Sequence, residues 1–238
     1  MTRTYAFGCA LMVVSACADE DASDDTVLAS DWEPLGADEM YEGKSLAEWG
    51  VAYARYSYAQ TSCDAPSYDQ TGELCGLYQD PESPVFVLEY SPTNRLRTKC
   101  RIPAGKGIVV PIMTASIDNA GRDELWSDDE MIEIISESLD TMRDLKLRVD
   151  GTDIPDLEQR KVEPTKFEYT LPPAPNWYSC NGKDGVEDIT VSPSYFAGFL
   201  AVFPPPDPGV HELHYGGVLT YDGDEYAIAT RTRFVVEE

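Results

Sequence analysis

Residues 84–112 contain three strand-like runs separated by two turns. Residues 85–90 are rich in β-branched and aromatic side chains, and residues 91–94 have the composition of a turn. Residues 95–102 then alternate between polar and less polar side chains. We therefore predict a β-hairpin, followed by a third and nearly fully buried strand over residues 107–110.

The alternation also predicts which side chains of the second strand face solvent. Side chains on a strand alternate between its two faces. Pairing Tyr90 with Leu96 keeps the apolar side chains of both strands on one face and sets Glu89 opposite Arg97. The side chains predicted to face outward are those of Arg95, Arg97, Lys99 and Arg101. We interpret this row as protection of a sheet edge; the alternative is a binding site for an anionic surface polymer or for the protein's own acidic N-terminal segment.

Two amphipathic helices are predicted outside this segment. Ser45 with Glu48, and Ser127 with Glu130, each form the sequence of a capping box at a helix start. Apolar side chains then recur at spacings of three and four, at Leu46, Trp49, Tyr53 and Tyr56 and at Ile132, Ile135, Leu139 and Met142. We expect both stripes to pack on the sheet, and a sugar-binding surface is the alternative for the aromatic one.

The rest of the chain has the pattern of β-structure. Residues 145–149 alternate up to the turn dipeptide Asp150-Gly151, and residues 167–171 form a further strand-like run. Residues 195–203, 210–215 and 227–236 have the same character. The pattern predicts a mainly β fold, a β-sandwich-like domain with two amphipathic α-helices, spanning residues 44–238 as a single unit.

Composition narrows the possible functions. The 238 residues include 43 Asp and Glu against 18 Lys and Arg, a net charge of −25, which argues against a nucleic-acid partner. No catalytic residues, metal ligands or cofactor are predicted. Lys106 lies in a turn that lacks the residues of a phosphate loop, and His211 and His214 should lie on opposite faces of a strand.

The N-terminus resembles a bacterial lipoprotein signal. Arg3 precedes an apolar run over residues 6–14, and the lipobox-like residues 14–17 follow. The resemblance implies a signal peptide at residues 1–16, lipid attachment to Cys17 and an outer-membrane anchor; the alternative is ordinary cleavage that yields a secreted or periplasmic protein. Residues 17–43 are acidic and lack Lys and Arg, so we predict a flexible tether, with local docking of Trp32, Leu35 and Tyr41 as the alternative.

Four cysteines of the exported part, Cys63, Cys75, Cys100 and Cys180, allow three disulfide connectivities. Most of residues 44–238 also resembles a broad group of secreted bacterial proteins for which no activity is established. The residues that carry this resemblance are Glu48-Trp49, Thr71-Gly72, Cys75, Pro84-Val85-Phe86, Arg97, Cys100, Pro103-Ala104-Gly105-Lys106, Pro111, Val149-Asp150-Gly151, Leu171-Pro172, Pro208-Gly209, His211 and Gly216. The resemblance implies Cys75 paired with Cys100, which leaves Cys63 for Cys180; a four-thiolate zinc site is the alternative.

These observations favour one class of function over another. We expect a cell-envelope lipoprotein whose β-rich domain binds an envelope polymer or protein without catalysis, held at the membrane by its lipid. The alternative is a secreted hydrolase that uses paired carboxylates in a cleft. A chain with 43 acidic residues contains close carboxylate pairs by chance, so only the structure can distinguish the two.

Overall fold

The computed structural model describes residues 31–90, 95–221 and 224–237. The four-stranded sheet consists, in spatial order, of β1 (Val85–Val87), β3 (Gly107–Asp118), β7 (Ile189–Phe203) and β6 (Lys161–Leu171). The five-stranded sheet consists of β2 (Leu96–Ile102), β9 (Asp224–Val236), β8 (Gly209–Tyr221), β4 (Arg143–Val149) and β5 (Thr152–Asp153). The helices are α1 (Leu46–Tyr58), α2 (Asp128–Thr141) and α3 (Trp177–Cys180), with a 3-10 turn at Leu157–Arg160.

The two sheets pack face to face, which confirms the mainly β, sandwich-like fold. Their shared core includes Ile108 and Val110 from one sheet and Tyr215 and Phe234 from the other, all fully buried. Burial of this apolar area from both sheets is the main force that holds the layers together.

The helix α1 covers the outer face of the four-stranded sheet. The Ser45 and Glu48 side chains form the predicted capping box. Trp49 and Tyr53 of the predicted stripe are buried against the sheet. Gly50 permits the close approach, because a Cβ there would lie 2.4 Å from Cε1 of Phe196 on β7. The aromatic stripe is thus largely a packing surface.

The helix α2 begins at the predicted capping box of Ser127 and Glu130. Its buried side belongs to the core between the sheets and includes Ile135 and Leu139, as predicted. Ile132, however, is 38% exposed, and Met131 is fully buried in its place. The spacing of three and four was right, but the start of the stripe was assigned one residue too late.

The predicted hairpin between the first two strands is wrong. β1 pairs in parallel with β3 at the edge of one sheet, while β2 pairs in parallel with β9 at the edge of the other. The chain therefore crosses from sheet to sheet after Leu88. β1 is buried on both faces, with Phe86 in the inter-sheet core and Val85 and Val87 under α1.

The predicted outward row of cations is wrong at Arg97, although Arg95, Lys99 and Arg101 are exposed, because β2 is irregular between Arg97 and Cys100. The amides of Thr98 and Lys99 both donate to the carbonyl of Thr71, at 2.9 and 3.1 Å, instead of continuing the ladder. A bulge of this kind shifts the alternation by one residue. As a result Arg97 points into the protein, where it is 2% exposed.

The tether prediction is wrong for residues 31–43, where the docking alternative holds. The Trp32 indole N–H donates to the carbonyl of Pro204 at 2.8 Å, and its ring lies 4.5 Å from that of Phe203. The amide of Leu35 donates to Val202, and Tyr41 forms a β-bridge with Lys44. Residues 17–30, with Cys17, and the predicted signal peptide lie outside the described residues.

Two local predictions are confirmed. β4 and β5 form a hairpin around Asp150 and Gly151. The disulfides are Cys75–Cys100 and Cys63–Cys180, so no free thiolates remain for the zinc alternative.

Within the described ranges, the structure contains no helix that is both long and apolar enough to cross a bilayer.

Candidate functional site: an aromatic cleft over a buried glutamate

A cleft opens where the two edge strands end. β1 covers the edge of β3 only at residues 107–109, and β2 covers the edge of β9 only at residues 231–236. None of the described strands pairs with these edges at residues 114–116 and 227–229, which border an open space of about 710 Å³. Glu89 and Tyr90, which we call the crossing segment, line its other sides together with helix α1, Tyr68 and Trp177.

Aromatic side chains form much of the lining. They are Tyr53, Tyr58, Tyr68, Tyr90 and Trp177, and the polar groups between them are Ser57, Ser67, Glu89, Thr114 and Ser116. The rings contact one another at defined angles. The centroids of Tyr58 and Trp177 are 6.1 Å apart with the rings near perpendicular, and those of Tyr68 and Trp177 are 6.3 Å apart. This contact network fixes the shape of the wall.

The disulfide Cys63–Cys180 ties together the two segments that carry this wall. Cys63 lies in the loop that presents Tyr68, and Cys180 ends the short helix α3 that begins with Trp177. The side-chain amide of Asn181 donates to the hydroxyl of Tyr68 at 2.8 Å. A covalent bond and a hydrogen bond therefore hold Tyr68 beside Trp177, although the two residues are far apart in the sequence.

Glu89 is the carboxyl group of the cleft. It is 4% exposed, and its Oε1 accepts hydrogen bonds from the Ser57 hydroxyl and from Gln60 Nε2, the latter at 3.1 Å. Its Oε2 accepts from the Tyr53 hydroxyl at 3.1 Å. Burial raises the pKa of Glu89, although the hydrogen bonds from Ser57 and Tyr53 and the nearby Arg97 oppose that rise.

Arg97 lies behind Glu89, between the two sheets. Its Nη2 donates to the main-chain carbonyl of Glu89 at 2.7 Å and to Thr232 Oγ1 at 2.6 Å. The Tyr215 hydroxyl donates to the same carbonyl at 2.8 Å, and burial raises the pKa of Tyr215 to about 12. The crossing segment is thus held from inside by buried polar contacts from the five-stranded sheet.

A second buried carboxylate supports the wall from behind. Asp118, at the end of β3, accepts hydrogen bonds from the hydroxyls of Tyr178 at 2.6 Å and Tyr169 at 3.0 Å. The ring of Tyr169 stacks on that of Tyr58 with centroids 4.2 Å apart. Asp118 does not line the cleft, so this network positions Tyr58 without offering a carboxylate to a ligand.

The other predicted binding residues do not form one surface. Lys99 is paired with Glu73 at 2.6 Å, and Arg101 lies 3.6 Å from Glu237, both at exposed positions. Arg95 is exposed just before β2. With Arg97 buried, the four cations predicted to share an outward face do not form one row.

The remaining motifs of the sequence have structural roles. Lys106 lies in the predicted turn and donates to the carbonyls of Pro81, at 2.6 Å, and Ser83. His211 is buried and His214 is half-buried on the other face of β8, as predicted. Over residues 31–90, 95–221 and 224–237, no three His, Cys, Asp or Glu side chains form a group that could hold a metal ion.

The cleft residues were not identified from the sequence. They come from α1, the following loop, the crossing segment, β3, α3 and β9, which no local pattern connects. The aromatic stripe of α1 was the one indication, and its Tyr53 does reach the cleft. Tyr58, which the stripe omitted, also lines the cleft.

Comparisons with protein-family models, with curated proteins and with solved structures gave no match. Function is therefore inferred from the cleft. Its aromatic rings offer flat apolar contacts, and its hydroxyls and the Glu89 carboxyl offer hydrogen bonds at the margins of those rings. Such a surface suits a ligand that is itself apolar on one face and hydroxylated at its edges.

Proposed function

We propose that the protein is a cell-envelope lipoprotein whose β-rich domain binds, without catalysis, neutral sugar units of an envelope polymer in the aromatic cleft. The composition of the lining supports this proposal. A pyranose ring has apolar C–H faces, which stack on aromatic rings, and hydroxyl groups at its rim. Tyr58, Tyr68 and Trp177 match the first feature, and Ser57, Ser67 and Glu89 match the second.

The arrangement of carboxyl groups favours binding over hydrolysis. Glycosidases use two carboxyl groups that flank the scissile bond. Among the described residues that line the cleft, Glu89 is the only acid, and its two oxygens already accept three side-chain hydrogen bonds. Glu89 is thus held in place as an acceptor near the ligand space, with no second carboxyl group facing it.

The proposal predicts that the cleft aromatics determine glycan binding. Trp177→Ala should weaken retention of the purified domain on insoluble peptidoglycan, chitin or cellulose by about tenfold, which corresponds to roughly 1.4 kcal/mol. The measurement is the fraction bound against the amount of polysaccharide. Trp126→Ala is the matched control, because Trp126 is half-buried outside the cleft, beneath Arg122.

Two results would contradict glycan binding. One is wild-type protein that is retained by none of the three polysaccharides. The other is retention that Trp177→Ala and Trp126→Ala reduce equally, since the loss would then come from the fold and not from the cleft. Circular dichroism of both variants distinguishes unfolding from loss of binding.

The anchor is tested separately. In a Gram-negative host the full chain should partition with membranes into detergent, and Cys17→Ala should move it to the soluble fraction, because the lipid is attached through this sulfur. Soluble wild-type protein with a processed N-terminus at Asp19 would instead indicate ordinary secretion. That outcome would leave the cleft proposal unaffected.

A further inference from the structure

The outer face of the five-stranded sheet carries a second recess, which is basic. It has a volume of about 570 Å³, and its lining includes Lys146 and Arg148 from β4, His214 from β8, and Arg231 and Arg233 from β9. Four of the 18 Lys and Arg side chains of the chain therefore converge here, on a protein with a net charge of −25. We call these five side chains with Glu212 the basic groove.

The strand register brings the cations together. Arg148 pairs with His214, and His214 pairs with Arg231, so the three side chains form one row across neighbouring strands. Neighbouring strands are about 4.8 Å apart, which lets side chains of one row contact a single small ligand. Lys146 and Arg233 flank the row on either side along their strands.

Short contacts hold the guanidinium groups in place. Arg233 Nη2 lies 3.0 Å from Glu212 Oε2, and Arg231 Nη2 lies 3.5 Å from Glu212 Oε1. Arg148 Nε donates to the carbonyl of Gly151 at 2.7 Å. Each of these contacts uses only part of a guanidinium, which has five N–H donors, so further donors are left for a ligand.

Positive charge exceeds negative charge in the groove. Glu212 is one carboxylate among four cationic side chains, and Asp153, near Arg148 at 3.8 Å, is largely exposed to solvent. The Asp150 carboxylate, which also borders the groove, bonds to the His211 ring and to the amide of Glu212. Burial lowers the pKa of His214, and so do the neighbouring charges of Lys146 and Arg231.

We propose that the basic groove is a binding site for the phosphate group of a small phosphorylated ligand. Arginine forks match the oxygens of a phosphate, and a dianion offsets the excess positive charge of the groove. The size of the groove and the acidity of the rest of the surface disfavour a long polyanion, which would extend from the groove onto negative charge. This site is separate from the aromatic cleft.

The two histidines of the chain provide the measurement. In NMR titrations of the imidazole signals, glucose 6-phosphate should raise the pKa of His214 by roughly one unit, because a bound dianion favours the imidazolium. His211 is the internal control, since it is buried on the opposite face of β8 and bonded to Asp150. Glucose at the same concentration should move neither signal.

Charge-neutral variants test the assignment to the groove. Arg148→Gln and Arg231→Gln should each weaken binding of glucose 6-phosphate roughly tenfold in calorimetry, because each removes a charged hydrogen-bond donor. Arg122→Gln removes the same charge from a loop outside the groove, where the guanidinium stacks on Trp126, and should leave the affinity unchanged. Equal loss in all three variants would mean a general charge effect and would overturn the proposal.

A second set of binding measurements distinguishes a soluble phosphorylated ligand from a lipid headgroup. Inorganic phosphate and glucose 6-phosphate test a soluble ligand, and phosphatidylcholine vesicles with or without phosphatidic acid test a lipid headgroup. Binding to either source that is lost in Arg148→Gln supports a phosphate site. No shift of the His214 signal with any of these probes would overturn it, whatever polysaccharide the cleft binds.

Discussion

Two pairs of buried ionisable groups each have one member on the five-stranded sheet, Arg97 on β2 and His211 on β8, and the pairs differ in what they face. Glu89 and Arg97 meet where the chain crosses between the sheets, and Glu89 opens onto the aromatic cleft. Asp150 and His211 meet at the end of β4, where the ring of Trp32 lies 5.3 Å from that of His211. The first pair borders the aromatic cleft, whereas in the second pair Trp32 lies against the His211 ring and Asp150 borders the basic groove.

Both pairs contain a group with a raised pKa, but for opposite reasons. Burial raises the pKa of Glu89 because the interior disfavours its charge. Burial lowers that of His211, yet its hydrogen bonds to Asp150 and to the carbonyl of Asp207 outweigh burial, and the pKa lies above 6.5. Both partners of the His211 ring are acceptors, so only the imidazolium can donate to both.

The two pairs also differ in the partners of their carboxyl groups. The Glu89 carboxylate takes its hydrogen bonds from neutral donors, while Arg97 bonds to the main-chain carbonyl of the same residue. Asp150 instead bonds directly to the His211 ring. Asp150 and His211 are thus joined directly through their side chains, whereas the Glu89 carboxyl group and Arg97 are linked only through the main-chain carbonyl of Glu89.

The largest expected effect comes from removing Arg97. Arg97→Met should lower the free energy of unfolding by roughly 3–5 kcal/mol, since it deletes the cation beside a buried carboxyl group and leaves Thr232 without its bond. Urea denaturation at neutral pH measures this loss of stability. Arg101→Met is the matched control on the same strand, because the Arg101 side chain is 68% exposed, and it should change stability little.

Similar urea midpoints for Arg97→Met and Arg101→Met would mean that the two cations are equally exposed. Such a result would restore the outward row expected from the alternation in β2. It would also remove the polar support of the crossing segment, and with it the distinction drawn between the two buried pairs.

Local features of the fold were predictable because short segments determine them. The capping boxes at Ser45 and Ser127 formed as expected, as did the turn at Asp150 and Gly151. The alternation of polar and apolar residues in β2 predicted the wrong face for Arg97. Such alternation indicates the face of a side chain only where the hydrogen bonds between strands are regular. The bulge at Arg97 depends on the carbonyl of Thr71, which lies at least 26 residues earlier in the sequence. The disulfide Cys75–Cys100 fixes the loop that contains Thr71 against β2.

The pairing of the strands and the position of the cleft could not be predicted from the sequence, because both depend on contacts between distant parts of the chain. The apolar run of Val85–Val87 suits a strand buried on both faces, and nothing local indicates that it pairs with β3 in parallel. Cys63 and Cys180 are separated by 117 positions. Only the folded chain brings Tyr68 to Trp177, and the same holds for Asp150 and His211.

A smaller effect on stability, which depends on pH, is expected from a substitution in the Asp150–His211 pair. Asp150→Asn should lower the free energy of unfolding by roughly 1–3 kcal/mol at pH values below 6.5, because the imidazolium of His211 loses its charged acceptor. The contribution of a group whose pKa is raised in the folded state is complete below its unfolded pKa and is lost as pH rises through the folded pKa. The difference between wild type and variant should therefore shrink as the pH rises above 6.5.

Urea denaturation across this pH range measures the difference, with wild type and variant compared at each pH. His214 has a lowered pKa, so its own contribution changes in the opposite sense, but it is present in both proteins and cancels in the comparison. A difference that stays constant with pH would show that Asp150 acts on His211 only through neutral hydrogen bonds. Both pairs would then be held mainly by neutral contacts, and the difference in exposure to the cleft would be the one property that separates them.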